Sequence, residues 1–179
     1  MKKIILIIIL LIVFCTACNA DFFHTRLQLL NALTDEDGEK IDEMSSEIIR
    51  CFTERDKEAL KELFCEVVRN TPDFDDEIEK AFEYFECDGF LWAEKKLHAS
   101  GGNSWSDGRR VKWYLSPIIH YISVRVGSAP DTESRYYAIN YFWYIINEED
   151  ESLEGLHYIN IELLNVDSFT LGSREHRGY

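Results

Sequence analysis

Apolar residues recur along the first part of the chain with a helical period and along the second part with a strand period. Ile48, Ile49 and Phe52 form a short stripe. In "DKEALKELFCEVV" the positions Leu60, Leu63, Phe64, Val67 and Val68 fall at i, i+3, i+4, i+7 and i+8. That spacing predicts one amphipathic helix, with Asp56 placed to cap its start. Thr71 and Pro72 read as the cap and first residue of a further helix, on which Phe74, Ile78, Phe82 and Phe85 share a face until Asp88 and Gly89 stop it.

Beyond Gly89 the pattern changes to alternation rich in aromatic and β-branched residues. The segments "FLWAEKKLH", "VKWYLSPIIHYISVRV", "RYYAINYFWYII" and "LHYINIELL" are separated by turn-forming or charged stretches and predict strands, with Pro117 marking a bend or bulge in the second. Helices followed by consecutive strands predict an α+β domain, its helices packed on one face of an antiparallel sheet.

The N-terminus has a different pattern. Lys2 and Lys3 precede an unbroken apolar run from Ile4 to Phe14, shorter than the roughly 20 residues that span a bilayer but suited to a signal peptide. Ala17 before Cys18 meets the small-residue rule for cleavage, whereas Phe14 before Cys15 does not. The stretch resembles the lipobox of bacterial lipoproteins, which makes Cys18 the lipidated N-terminal residue; Cys15 stands where such boxes usually carry Leu. The alternatives are an ordinary secretory signal and an uncleaved anchor. The expected organisation is a signal peptide over 1–17, the lipidated cysteine, a tether and a short helix over 18–33, and a single domain over 34–179. The expected location is the extracytoplasmic face of the cell membrane.

Removing residues 1–17 takes away two lysines and no acid, leaving a net charge of −16. Such a domain is repelled by a phosphate backbone, which argues against nucleic acid. It is not drawn to anionic lipid either, so the anchor must hold it at the membrane. Beyond Cys18 three cysteines remain, Cys51, Cys65 and Cys87. A continuous helix would hold the first two about 21 Å apart, beyond disulfide reach; buried, unpaired thiols are the preferred reading. In "TDEDGEK" the alternating Asp35, Asp37 and Glu39 suggest a calcium loop, but Lys40 stands where an EF-hand needs Gly, so a solvated turn is expected. The scattered histidines lack metal-ligand spacing, and neither a metal nor a cofactor is expected.

Candidate chemistry concentrates on the strands. "ASGGNSWSDGRR" leads into a strand and not a helix N-terminus, so it reads as a long hairpin connection around Asp107-Gly108, with Trp105 either tucked under the domain or rimming a pocket. Simple alternation sets His120 on a face with Ile118, Ile122, Val124 and Val126, and His157 in phase with Ile159, Ile161 and Leu163. Asn140 interrupts the set Tyr136, Ala138, Phe142 and Tyr144, and Tyr141 and Trp143 occupy the opposite set. Trp105, Trp113, His120, Asn140, Tyr141, Trp143 and His157 are therefore the candidate pocket, an aromatic cavity with few polar contacts. Hydrogen-bonded core histidines in a tightly packed sheet are the alternative. No carboxylate is in phase with an apolar strand face, so no catalytic residue is assigned.

The lipobox, "SSEIIRCFTERDKEALKELF", "EYFECDG", "SGGNSWSDGRR" and "SPIIHYISV" together resemble a family of uncharacterised clostridial lipoproteins that carries a domain-of-unknown-function label. The overall pattern is similar to the nuclear-transport-factor-2-like (NTF2-like), cystatin-like superfamily. That resemblance implies helices lying in the bowl of a strongly curved antiparallel sheet, a cone. The superfamily holds enzymes as well as binding and assembly modules, so it implies a fold and transfers no catalytic residues. The expected function is a non-catalytic small-ligand-binding module. The alternatives are a protein-interaction module, including a homodimer, and an isomerase- or hydrolase-type enzyme using the cone pocket.

Overall fold

In α1 (Asp35–Glu54), the first helix among the described residues, Ile41, Ser45, Ile48, Ile49, Cys51 and Phe52 are buried along one face. The computed structural model describes residues 35–128 and 130–173, without the side chains of residues 95–98 and 120. The signal sequence, Cys18 and the tether lie outside the described residues. The "TDEDGEK" stretch enters α1 as its first turns, and Asp37 is buried at 7% exposure, so it is not the solvated turn its composition suggests. Among the described residues no helix is long and apolar enough to cross a membrane.

The stripe of residues 60–68 divides between two short helices, α2 (Lys57–Leu63) and α3 (Glu66–Arg69). Asp56 caps α2 as expected, accepting a hydrogen bond from Ala59 N at 3.1 Å. The single predicted helix breaks because Phe64 is extended, with φ −81° and ψ 149°, and forms a parallel bridge to Leu156. Cys65 N donates to Leu156 O at 2.9 Å, a tertiary hydrogen bond that replaces helical ones. Gly155, at φ +119°, permits this approach: a Cβ there would lie 2.7 Å from Cys65 N. The last helix, α4 (Phe74–Tyr84), starts two residues after Pro72 and buries Phe74, Ile78 and Phe82, followed by Phe85.

Among the described residues the sheet is an open five-stranded antiparallel meander, ordered β1 (Gly89–Ser106), β2 (Arg109–Val126), β3 (Glu133–Asn147), β4 (Gly155–Leu163) and β5 (Asp167–Gly172). The fold is thus α+β. The segment 99–106 is the end of β1, not a loop, and Asp107 and Gly108, with φ of +48° and +76°, form a two-residue turn. Gly101 and Gly102 suit this stretch because a Cβ on Gly102 would lie 2.7 Å from the Tyr114 hydroxyl. β5 is a fifth strand beyond the four predicted ones.

The helices cover one face of the sheet, where Ile119, Ile122, Val124, Tyr137, Ile139, Tyr141, Ile159, Ile161 and Leu171 form one core with them. Each fully buried side chain of this size contributes about 1.5–3 kcal/mol. The other face carries a smaller cluster of Phe142, Tyr144 and Tyr158, with Tyr114 and Leu153 against it.

Two register irregularities decide which side chains share a face. On β2, Ile119 pairs with Ile139 but Ile122 pairs with Tyr137, so three steps on one strand match two on its neighbour. Tyr121, at φ +56°, carries the bulge, and the irregularity lies there and not at Pro117. Before it the buried positions are odd (113, 115, 117 and 119); past it 122, 123 and 124 are all buried, and the even ones, Ile122 and Val124, join the helix-covered core. On β4, Tyr158 pairs with Phe142 and Leu156 with Trp143, leaving His157 as an extra residue. Simple alternation fails at both places, since a one-residue insertion moves every following side chain to the other face.

Candidate functional site

Of the seven residues that pattern alone collects into one pocket, the six whose side chains are described lie in distinct environments. Trp105 and Trp113 do meet, at the β1–β2 hairpin end, through a residue that the pattern does not single out. The Arg110 guanidinium lies 4.0 Å from the Trp113 ring centroid and 5.2 Å from that of Trp105. Arg110 also reaches Glu36 at 3.2 Å, and Trp113 Nε1 donates to Asp37 Oδ1 at 2.8 Å. These contacts clasp the N-terminal turns of α1 to the hairpin. Trp113 is buried, while Trp105 is 59% exposed, its indole nitrogen donating to Asn103.

Tyr141 belongs to the helix-covered core. Its hydroxyl donates to Ile41 O at 3.3 Å and is bonded to Ser45 Oγ at 2.9 Å, so Ser45 is the donor of that second bond. Burial drives the Tyr141 phenol well above its ordinary pKa. Trp143 packs half-buried against the same core. Asn140 faces Asn160 across β3 and β4, and Asn160 Oδ1 accepts from Thr170 Oγ1 at 2.8 Å.

His157 does not share a face with Ile159 and Ile161, because the β4 bulge turns it to the other side. Its ring meets Phe142 and Tyr144 edge-on, at centroid distances of 5.6 and 5.2 Å, and Nε2 is 2.8 Å from Leu153 O. The His120 backbone lies in β2 opposite Glu94, beside the Tyr121 bulge; its side chain is outside the described residues. Among the described side chains of this set, Tyr141, Trp143 and Trp113 pack between helices and sheet, while His157 lies in the cluster on the other face.

A different concave site lies at the end of the sheet where β2 finishes, β3 begins and β4 turns into β5. Tyr121, residues 133–136 and residues 163–166 line a groove of about 530 Å³. Tyr121 and Tyr136 are each 43% exposed and Val166 70%. Tyr136 follows Trp92 and Ser123 in one cross-strand row, and its ring centroid is 6.5 Å from that of Trp92. Arg135 is held by Glu133 at 2.6 Å and Glu86 at 2.8 Å, which raises its already high pKa and fixes its charge. Behind the groove, Tyr84 donates to Asp167 Oδ1 at 2.6 Å and accepts from Leu163 N, and burial is the main cause of its pKa being pushed up to about 12.

Residues 47–168 match the family described as a domain of unknown function (DUF5104). The chain belongs to this family. No curated protein matches it. The DUF5104 span runs from the middle of α1 into the start of β5 and includes every residue of the groove. It omits the first turns of α1, and with them Asp37, Ile41 and Ser45, which hold Trp113 and Tyr141. In this DUF5104 domain the described residues hold no group of three His, Cys, Asp or Glu placed to bind a metal ion. Cys51, Cys65 and Cys87 are free thiols, and burial raises the pKa of each, that of Cys51 to about 11.

The groove was missed at the sequence level because its aromatic residues come from the flanks of strands and from a bulge. One signal was available: "ELLNVDS" places Val166 in a turn, where an apolar side chain has nothing local to pack against.

Proposed function

We propose that this DUF5104 chain is a non-catalytic binding module, held by lipid at Cys18 on the extracytoplasmic face of the cell membrane, that takes a small amphipathic ligand into the Tyr121–Tyr136 groove. The observation carrying this reading is the groove itself. Its volume of about 530 Å³ falls within the range of roughly 300–1,000 Å³ usual for small-ligand sites. Most of its lining surface is apolar, and Glu133, Ser134, Arg135 and Asn165 supply polar groups to it. The short apolar run, the basic start and Ala17-Cys18 support the anchor, in line with the resemblance to clostridial lipoproteins. Helices packed on one face of an antiparallel meander support an NTF2-like or cystatin-like cone as the finer description of the fold.

The choice of binding over catalysis rests on how the groove's ionisable groups are engaged. Glu133 is bonded to Arg135, and Asp167 beneath the groove accepts from Tyr84. A protein-interaction role is the second reading, supported by the 46% exposure of Phe90 and Leu91 next to Trp92. Native mass spectrometry of the full chain purified gently from its host, set against the denatured chain, tests these readings. A small mass excess that disappears on denaturation, and that Tyr136→Ala abolishes, is expected. A bare chain retaining no small molecule, or an excess untouched by Tyr136→Ala, refutes the groove assignment. An excess of protein size supports the second reading.

A further inference from the structure

Among the described residues β1 pairs with β2 alone, so its other side carries backbone donors and acceptors that no strand takes. The two halves of this edge differ. In the first, the register slips between Phe90 and Trp92, between Ala93 and Glu94 and between Glu94 and His98, and the sequence sets Glu94, Lys95 and Lys96 there. Bulges and charges are the usual means of keeping a second strand off a sheet edge. The second half has neither. From His98 to Ser104 each residue pairs in step with one from Ile118 back to Lys112, and the next slip comes only past Ser104. This stretch, HASGGNS, contains no Asp, Glu, Lys, Arg or Pro. Ser100, Gly101, Asn103 and Ser104 are exposed, and the two glycines at its middle carry no side chain to hold another backbone away.

We infer that residues 98–104 are the strand edge through which two copies of this chain pair, antiparallel about a two-fold axis at Gly101, joining their two five-stranded sheets into one. The register follows from the ladder itself. Alternate residues of a strand turn their backbone groups to the same side, so positions paired across a new edge differ by an even number. With the axis at Gly101 the regular stretch maps onto itself: His98 lies opposite Ser104, Ala99 opposite Asn103 and Ser100 opposite Gly102. Any other axis runs a register slip of one copy into the pairing or shortens it. None of these residues lines the groove, so the inference stands apart from the reading of that site.

Two features favour a second copy over a foreign strand. A foreign strand is selected by side-chain pockets beside the edge, and the Ala, Ser and Gly of positions 99–102 form none. The complement that the stretch does specify is itself, small residues opposite small residues about one axis. Charge points the same way. In a chain of net charge −14, copies repel one another over most of their surfaces, whereas an uncharged stretch lets two backbones meet with no carboxylate opposite a carboxylate. The ladder holds about six to eight backbone hydrogen bonds along about 23 Å. Its area falls below that of stable dimers, so the pair forms in the range of tens of micromolar or above, on the order expected for small, transient interfaces.

The test uses the full chain in a mild detergent, with Ala99→Cys and Asn103→Cys introduced together. Within one copy these positions lie about 13 Å apart along the strand, so a disulfide between them can only link two copies. Air oxidation is expected to give a covalent dimer whose fraction rises from about 1 to about 200 µM protein, with the 99–103 link identified by peptide mass. Ser100→Cys with Asn103→Cys, on opposite faces of the strand, is expected to give less than about a tenth of that yield. Adding Ser100→Glu or Ser100→Lys to the first pair should each lower the yield at least about fivefold, because the two copies of residue 100 lie diagonally across the axis, about 7–8 Å apart. Mixing the Glu and Lys variants in equal amounts should restore it, which a folding defect would not allow. Absence of the 99–103 link at about 200 µM, an equal yield from the out-of-register pair, or a yield that Ser100→Glu leaves unchanged overturns the pairing. Slow amide exchange across residues 98–104 at about 1 µM also overturns it, since the edge is then already covered in the single chain.

Discussion

Tyr141→Phe removes one buried hydroxyl and tests whether α1 is locked to the sheet by polar contacts as well as by packing. In the native domain Ser45 Oγ donates to that hydroxyl, which donates onward to Ile41 O; Ser45 is 1% exposed and Tyr141 fully buried. The substitution deletes two neutral hydrogen bonds, each worth a net 0.5–1.5 kcal/mol or about that, and leaves the Ser45 hydroxyl without its acceptor. Ser45 regains part of this by turning back to Ile41 O, the carbonyl one helical turn before it. The expected loss is therefore about 1–2 kcal/mol, or a fall in melting temperature of about 2–6 °C for a domain of this size. Urea unfolding followed by far-ultraviolet circular dichroism measures it, as a lower midpoint at unchanged slope. In the cycle with Ser45→Ala the two losses should not add, and the coupling should be about 1 kcal/mol. A Tyr141→Phe loss below about 0.3 kcal/mol, or strict additivity with Ser45→Ala, would refute the lock.

Three further expectations follow from the packing. Gly155→Ala forces a side chain into a left-handed position 2.7 Å from Cys65 N, so it should cost on the order of 1–3 kcal/mol by urea unfolding; a neutral result would show that the Phe64–Leu156 bridge can shift freely. Cys51 and Cys65 should resist a thiol reagent at neutral pH, with half-buried Cys87 modified first and all three exposed only on unfolding, as read by peptide mass. Tyr84 has its pKa raised from 10.0 to about 12, so the neutral phenol is the stabilised form. Its contribution is complete below the unfolded value of about 10 and is lost as pH rises through about 12. Tyr84→Phe should reduce the alkaline destabilisation in that window, and an unchanged profile in urea midpoints would refute the assignment.

The sequence was legible wherever a local period alone decides the outcome. Phe74, Ile78, Phe82 and Phe85 read as one buried face and are one. Asp56 reads as a cap and is one, and Asp107-Gly108 reads as a hairpin turn and is one. The four predicted strands and the α+β class rest on the same kind of signal. The candidate site was far less legible. Trp105 and Trp113 were both singled out, yet the residue that joins them, Arg110, was not, since a cation between two rings has no sequence period.

By itself, then, the sequence determined the helix and strand segments, the order of helices before sheet, the acidic charge and the apolar N-terminal run, because each depends on residues close together in the chain. Tertiary structure alone decided three other matters. The helix over residues 57–69 breaks because Leu156, far along the chain, offers Cys65 a better hydrogen bond than a helix does. Asp37 is buried because Trp113 supplies its partner. His157 changes face, and the Tyr121 phase slips, because a bulge is a property of two paired strands and not of one. The aromatic groove belongs to this second group. Its residues come from three strands and a turn, and they lie together and exposed only because the meander ends there and the helices pack elsewhere.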